Sequence, residues 1–441
     1  MPISFIRALG IVACIGGSAV AAGQSAAEST RCHVGFYRLK NSTGVDIGPA
    51  DAGALRWRLR DGMSGALTLG ADREWHGTSG WTGRSDNRRV SFGDCADETI
   101  EFDGVPGRRV RFDTRDVSFE SGGVMLAGRL VMPEGASAVP VVVLVHGSEN
   151  SSAREFFSLQ RQFPGEGIGA FVYDKRGTGD SKGTYTHDYG VLAADAAAAV
   201  REVRRLAGAR ATRVGFQGSS QGGWVAPLAA TLTPVDFVIV AYGLAVSPLD
   251  EDREAVALDM SRHGFGPDET RKALEVAAAG HAIIYGGFQG GYEQFDALRA
   301  RYAREPWFRY LRGNVTQILM SMPHDTLRAQ GPILFAGIQP DYDPMPVLRK
   351  LTTPQLWILG AEDIDAPVGE TLRRLRALAA QGRPIDAVVY PHAEHGMYEF
   401  ETGADGERVS RRLPATYLPL MCEFATRGRI GRRYGDATVY R

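Results

Sequence analysis

Apolar and polar positions divide the chain into stretches of different period. Near the start, Leu55, Trp57 and Leu59 alternate with Arg56, Arg58 and Arg60, the period-two pattern of a strand with one buried face. Val90 and Phe92, Ile100 and Phe102, and Val110 and Phe112 repeat it, with Asp61-Gly62 and Asp103-Gly104 as hairpin-type turns. Residues 30–113 are therefore expected to form a small N-terminal β-rich domain. The three arginines read as the solvated side of their strand rather than as a basic binding face.

The pattern changes near Arg115. Val117, Phe119, Ser121-Gly122-Gly123 and the run 124–132 predict a hairpin that leads into a larger sheet. Val139 to Val145 is continuously apolar and rich in β-branched residues. Such a run marks a strand covered on both faces, as in a parallel sheet under helices. Short strands are expected at 171–173, 214–216, 237–240, 355–359 and 387–390, with helices at 193–206 and 224–232 between them. The alternation predicts an α/β fold over residues 114–441, a doubly wound and mostly parallel sheet. It stops over 246–346, where 251–262, 268–285 and 292–304 are helix-like and Pro267-Asp268-Glu269 resembles a helix start. This stretch reads as a helical lid inserted over the C-terminal edge of the sheet, the edge where open α/β sheets bind ligands.

Gly218-Ser219-Ser220-Gln221-Gly222 lies between an expected strand and an expected helix, the setting in which Gly-x-Ser-x-Gly forms a nucleophile elbow. A second match, Gly179-Asp180-Ser181-Lys182-Gly183, has neither neighbour, so Ser181 is read as a turn residue. An activated serine needs a base, an orienting acid and oxyanion donors, each at a loop after a strand. His146-Gly147-Ser148 follows the strand at 139–145. The N–H groups of Ser148 and Gln221 are the expected donors, and His146 is expected to fix the loop rather than to act as base. After the strand at 355–359, Asp363 is the expected acid, with Asp365 second and Glu362 a solvated neighbour. After the strand at 387–390, His395 is the expected base, with His392 second. Taking His392, Glu394 and His395 as metal ligands fails on spacing, so neither metal nor cofactor is expected. The order Ser220, Asp363, His395 is that of α/β-hydrolases.

On Val143-Leu144-Val145-His146-Gly147-Ser148, Tyr173-Asp174-Lys175-Arg176-Gly177-Thr178-Gly179-Asp180-Ser181, the run 218–223, Trp357 to Asp363 and Ala393-Glu394-His395-Gly396, residues 115–412 resemble α/β-hydrolases. The likeness is strongest to bacterial esterases related to the dipeptidyl-aminopeptidase and acylaminoacyl-peptidase branch. The resemblance implies Ser220 as nucleophile, Asp363 as acid and His395 as base, and makes Ser181 a structural member of a family loop. Glu149-Asn150 departs from such proteins, which often carry another glycine there. Residues before 115 lie outside the resemblance.

The leading expectation is a serine hydrolase of carboxylic esters. An exopeptidase or amidase on the same scaffold would need a charged anchor for a peptide terminus, for which Glu149, Glu251 and Asp252 are candidates. A secreted binding protein without catalysis is the third reading. Trp307, Phe308 and Tyr310 belong either to a substrate pocket or to the lid's own core. Composition narrows the partners. Lys+Arg 50 against Asp+Glu 51 leaves a net charge of −1, which gives no support to nucleic-acid or anionic-membrane binding. A small-molecule ester or a short peptide is the expected substrate.

Residues 1–22 read as a signal peptide, with Arg7, an apolar stretch from Ala8 to Val20 and Ala19-Val20-Ala21 at the cleavage spacing. An uncleaved anchor and a lipoprotein box at Ile11 to Cys14 are the weaker readings. Export predicts a secreted or periplasmic protein with no integral membrane span after signal removal. In that setting Cys32 and Cys95 bracket the β-rich stretch and are candidates for a bridge. Cys422 is left over, with a buried place expected.

Overall fold

The computed structural model describes residues 30–441 apart from 136 and 405, so the leader segment lies outside the described residues. The alternating strands close into a barrel: β1 (Gly35–Leu39), β2 (Gly44–Pro49), β3 (Leu55–Leu59), β4 (Ser64–Leu69), β5 (Trp75–Ser79), β6 (Val90–Phe92), β7 (Thr99–Phe102) and β8 (Val105–Arg109). β1 pairs with β8, so no open edge remains. Tyr37, Val45, Ile47, Trp57, Leu67 and Ile100 fill its interior. Asp103 and Gly104 take φ of 51° and 77°, the positive-φ pair that a tight β7–β8 turn demands. Cys32 and Cys95 are bonded to each other, tying the segment before β1 to the segment before β7. Phe112, expected in this domain, instead opens the next strand.

That strand begins a nine-stranded sheet. Its members are β9 (Phe112–Ser121), β10 (Val124–Pro133), β11 (Val139–Val145), β12 (Gly169–Tyr173), β13 (Ala211–Ser219), β14 (Val238–Ala241), β15 (Gln355–Gly360), β16 (Ile385–Tyr390) and, after the separate hairpin β17 (Glu399–Thr402) and β18 (Arg408–Arg412), β19 (Thr438–Tyr440). The spatial order is β19-β16-β15-β14-β13-β11-β12-β10-β9. From β12 to β16 all neighbours are parallel, and the β12–β10, β10–β9 and β16–β19 pairings at the two edges are antiparallel.

The helices explain the apolar runs. In chain order they are α1 (Ala153–Phe156), α2 (Leu159–Gly165), α3 (Tyr189–Ala207), α4 (Gly222–Leu232), α5 (Pro248–Arg262), α6 (Pro267–Tyr285), α7 (Tyr292–Tyr302), α8 (Val315–Ser321), α9 (His324–Leu334), α10 (Met345–Lys350), α11 (Gly369–Ala380) and α12 (Tyr417–Arg427). Val141, Val143 and Val145 of β11 pack with α3 and α4, and Val142 and Leu144 pack with α2 and α12. Alternate side chains of one strand thus meet two covered faces, which is why β11 has no polar position.

Helices α5 to α9 are inserted between β14 and β15 and carry a core of their own. Trp307 is fully buried in that core, and Phe308 and Tyr310 pack against it. These aromatics are therefore insertion core. Asp252, weighed as a peptide anchor, is buried as well. It accepts from the N–H groups of Val315 and Thr316 at the start of α8 and from His281 Nε2 at 2.6 Å.

The barrel is docked on the sheet domain. Trp81 N–H donates to Ser410 O at 2.9 Å and Leu413 N–H to Gly62 O at 3.0 Å. Arg161 of α2 donates to Asp46 of β2 at 2.6 Å. This docking corrects the reading of the arginine row. Arg60 is exposed, but Arg56 and Arg58 are half-buried. Their strand face is covered by Trp81, Tyr398 and the β17–β18 hairpin instead of water. Period two gives the inward face of β3 correctly and says nothing of what covers the outward one. Among the described residues no helix is long and apolar enough to cross a membrane.

Candidate active site

Strand β13 enters the site. Ser220 follows it with φ of 51°, a left-handed backbone uncommon for a residue with a side chain. α4 begins two residues later. The flanking glycines are required by space. A Cβ on Gly218 would sit 2.2 Å from Gly222 O, and one on Gly222 would sit 2.4 Å from Val145 O. The chain therefore turns sharply at Ser220 and holds its hydroxyl clear of both elements, with the strain borne by the packed strand and helix.

His395 stands between two of the expected partners. Its Nε2 lies 3.2 Å from Ser220 Oγ and its Nδ1 lies 2.9 Å from Asp363 Oδ2. Asp363 follows β15 and is only 2% exposed. Its second oxygen accepts from the N–H groups of Asp365 at 3.1 Å and Ala366 at 2.7 Å. The carboxylate thus has three donors, which fix its plane and keep it an acceptor for Nδ1–H. Burial alone would lower the basicity of His395. The neighbouring carboxyls of Asp363, Asp365 and Glu251 outweigh it and hold the imidazole at about 9.

The other candidates lie elsewhere. Asp365 meets Asp363 through its backbone. Glu362 is exposed and paired with Arg408 at 2.9 Å. His392 faces Asp436 at 3.6 Å, and Glu394 accepts from Ser410 at 3.1 Å. His392, Glu394 and His395 therefore point to three different partners and share no centre. Ser181 is buried, donating to Asp174 O at 2.6 Å and accepting from Ala127 N–H at 2.9 Å. It is a turn residue by its contacts as well as by its context.

Ser148 and Gln221 donate their backbone N–H groups to no other group among the described residues. The peptide unit that ends in Ser148 N–H is gripped at its carbonyl: Lys175 Nζ donates to Gly147 O at 2.6 Å. Tyr185 O–H donates to Ser148 O. Gly147 N–H donates to Glu149 at 3.2 Å, and Glu149 lies 3.5 Å from Nδ1 of the buried His146. Burial opposes the charge of Glu149, but His146 and Lys175 hold its carboxyl down at about 2. On the other side, Gln221 Nε2 donates to His187 Nδ1 at 2.7 Å, which leaves His187 Nε2–H to donate to Leu334 O at 3.1 Å.

The sequence profile of the alpha/beta hydrolase family matches residues 142–410. The chain belongs to that family. No curated protein sequence matches it. Among solved structures, an esterase of Pyrococcus furiosus is similar at 16% identity and a TM-score of 0.41, over 64% of this chain and 84% of that one. An esterase of Pyrobaculum calidifontis is similar at 17% and 0.40, over 65% and 79%. An acylaminoacyl peptidase of Pyrococcus horikoshii is similar at 16% and 0.43, over 86% of this chain and 55% of the peptidase.

In this α/β-hydrolase, Lys175, Tyr185 and His187 lie outside the set that sequence reasoning selected. Lys175 stands in the family loop after β12, and its position two residues past a buried strand was the available signal. Tyr185 and His187 carry no comparable mark, because their partners are 37 and 34 residues away in sequence. Glu251 of α5 also reaches the hydrolase site. It accepts from Asn314 Nδ2 at 2.9 Å, and Asn314 Nδ2 also donates to Asp365 O at 2.6 Å. Burial pushes the Glu251 carboxyl well above the usual range, and the charge on His395 works against that rise.

Proposed function

We propose that this α/β-hydrolase cleaves carboxylic esters with Ser220 as nucleophile, His395 as general base and acid, and Asp363 as the group that orients the imidazole. The observation that carries the reading is His395, within hydrogen-bond reach of Ser220 Oγ on one nitrogen and of Asp363 on the other. In this mechanism His395 Nε2 takes the hydroxyl proton as Ser220 Oγ attacks the acyl carbon. The carbonyl electron pair moves onto oxygen and is met by the N–H groups of Ser148 and Gln221, at a site backed by the N-terminus of α4. Collapse expels the alcohol, protonated by His395. Water, deprotonated by the same nitrogen, then attacks the acyl-serine and releases the acid. Losing one oxyanion donor typically costs about 10²–10³ in kcat.

Helices α5 to α9 act as the lid in this account, supported by Asn314 and Glu251, which bring α5 and the start of α8 to the acid loop. Exopeptidase or amidase action is the second reading, favoured by one observation. A Cβ on Gly147 would lie 2.7 Å from Glu149 Oε2 and 3.3 Å from Ser220 Cβ, so an ionised carboxylate stands beside the nucleophile. Turnover of short p-nitrophenyl esters against aminoacyl nitroanilides separates the two. Strong anilide turnover with little ester turnover overturns the ester assignment. Export is proposed with the leader segment, and the Cys32–Cys95 bond supports an oxidising compartment.

A further inference from the structure

A cavity of about 210 Å³ lies where the barrel meets the sheet domain. Its walls on the site side are Ser219, Tyr242, Gly396 and Phe157. Ser219 and Gly396 are the chain neighbours of Ser220 and His395. The Tyr242 ring stands edge-on to the His395 ring at 5.1 Å, and Phe157 packs against His146 at 5.7 Å. The cavity therefore borders the chain next to Ser220 and His395, on the side that the barrel covers. Its volume is below the roughly 300–1,000 Å³ of pockets for drug-sized ligands, which suits a short chain.

The far wall is basic. Arg58 of β3 lines the cavity, as does Tyr398, whose ring lies against Gly396. Arg58 donates to Asp46 at 3.2 Å, but that carboxylate is already held by Arg161 at 2.6 Å. Arg56, two residues along the same strand face, lies 4.0 Å over the Trp81 ring and donates to Gly80 O, with no ion pair among the described residues. Two guanidinium groups, Arg58 and Arg161, thus share the one buried carboxylate of Asp46, and Arg56 adds a third cation on the same strand face. An excess of cation in a sheltered site is costly unless an anion joins it, and a guanidinium is shaped to take a carboxylate.

We propose that this cavity is a substrate subsite for a short acyl chain ending in an anion, so that the preferred esters are half-esters of small dicarboxylic acids. The inference rests on the serine-hydrolase reading and deepens it. The barrel then acts as the specificity element of the enzyme, with Arg58 binding the distal carboxylate while the ester carbonyl sits at Ser220.

The test compares kcat/KM of the full chain for mono-p-nitrophenyl glutarate and p-nitrophenyl butyrate, which share a leaving group. The wild-type protein is expected to favour the glutarate by on the order of tenfold or more. Arg58→Gln should lower the glutarate-to-butyrate ratio by about 10- to 100-fold. Arg58→Lys, which keeps the charge, should restore part of it, and Arg56→Gln should lower it less. Free glutarate should raise the Tm of the wild type and not of Arg58→Gln, a readout that needs no turnover. No preference for the anionic ester, a ratio unmoved by Arg58→Gln, or an equal Tm response in both proteins overturns the proposal. Failure to hydrolyse either ester, with glutarate still bound through Arg58, would count against the ester-hydrolase reading and leave the anion subsite standing.

Discussion

Lys175 Nζ donates to the Gly147 carbonyl oxygen at 2.6 Å, and the N–H of that same peptide unit belongs to Ser148. An ammonium on the carbonyl end draws electron density from the N–H end and strengthens it as a donor. Lys175 is only 3% exposed, so the interaction is little weakened by solvent. In the proposed mechanism this buried lysine strengthens one of the oxyanion donors. Lys175→Met keeps the length and removes the charge. It should lower kcat by on the order of 10- to 100-fold while changing KM little, because the oxyanion forms only after binding. Steady-state kinetics with a short p-nitrophenyl ester checks this, and a rise in KM alone would assign Lys175 to substrate binding instead.

The pH profile follows from His395. Its imidazole is held at about 9, against an ordinary value of 6.5. The base must be neutral to take the Ser220 proton, so the acid limb of kcat/KM should lie well above that of an unperturbed histidine. Asp365 is one of the carboxyls that raise it. Asp365→Asn removes that charge and should move the limb to lower pH. The linked stability has the opposite dependence: it is full below about 6.5 and is lost as pH rises through about 9. Rate profiles of both proteins from pH 5 to 10 give the answer.

His187 joins the insertion to the elbow. It accepts from the Gln221 side chain, and its N–H and Nε2–H groups donate to Ala336 O and Leu334 O. His187→Ala should release both ends and lower kcat by roughly tenfold through misplacement of the Gln221 N–H. It should also speed proteolytic cleavage in the 324–338 segment, which limited digestion reports. A loss of kcat without faster cleavage would confine His187 to the elbow.

The Cys32–Cys95 bond closes a loop with a sequence separation of 63. In the chain-entropy account such a loop is worth about 4 kcal/mol, or roughly 20 °C in the Tm of a domain this small. Replacing both cysteines by serine should lower the unfolding temperature of the barrel by about that amount, and calorimetry with and without reductant measures it. Cys422 is half-buried and its thiol is pushed up to about 12, chiefly by burial. It should react slowly with maleimide in the folded protein.

The strand ends were legible because each carries its own local signal. Val139–Val145 before His146, the short runs before Ser220 and Asp363, and the run before His395 all precede glycine-marked turns. Context also separated Ser220 from Ser181, and the hydrogen bonds of Ser181 agree. Closure of the barrel was not legible, since it depends on β1 meeting β8 across about seventy residues of chain. Arg58 was misread for a related reason. Alternation shows that it faces away from the barrel core, and only the docked sheet domain shows that this face is covered. Lys175, Tyr185 and His187 act through contacts made in the folded chain, which no spacing announces.

The central claim is that Ser220 is the nucleophile. Labelling with a fluorophosphonate probe tests it most directly, using the wild type, Ser220→Ala and Ser181→Ala, each confirmed as folded by circular dichroism. The account predicts that the wild type and Ser181→Ala label and that Ser220→Ala does not. A folded wild type that stays unlabelled, or a Ser220→Ala protein that labels as the wild type does, would contradict it.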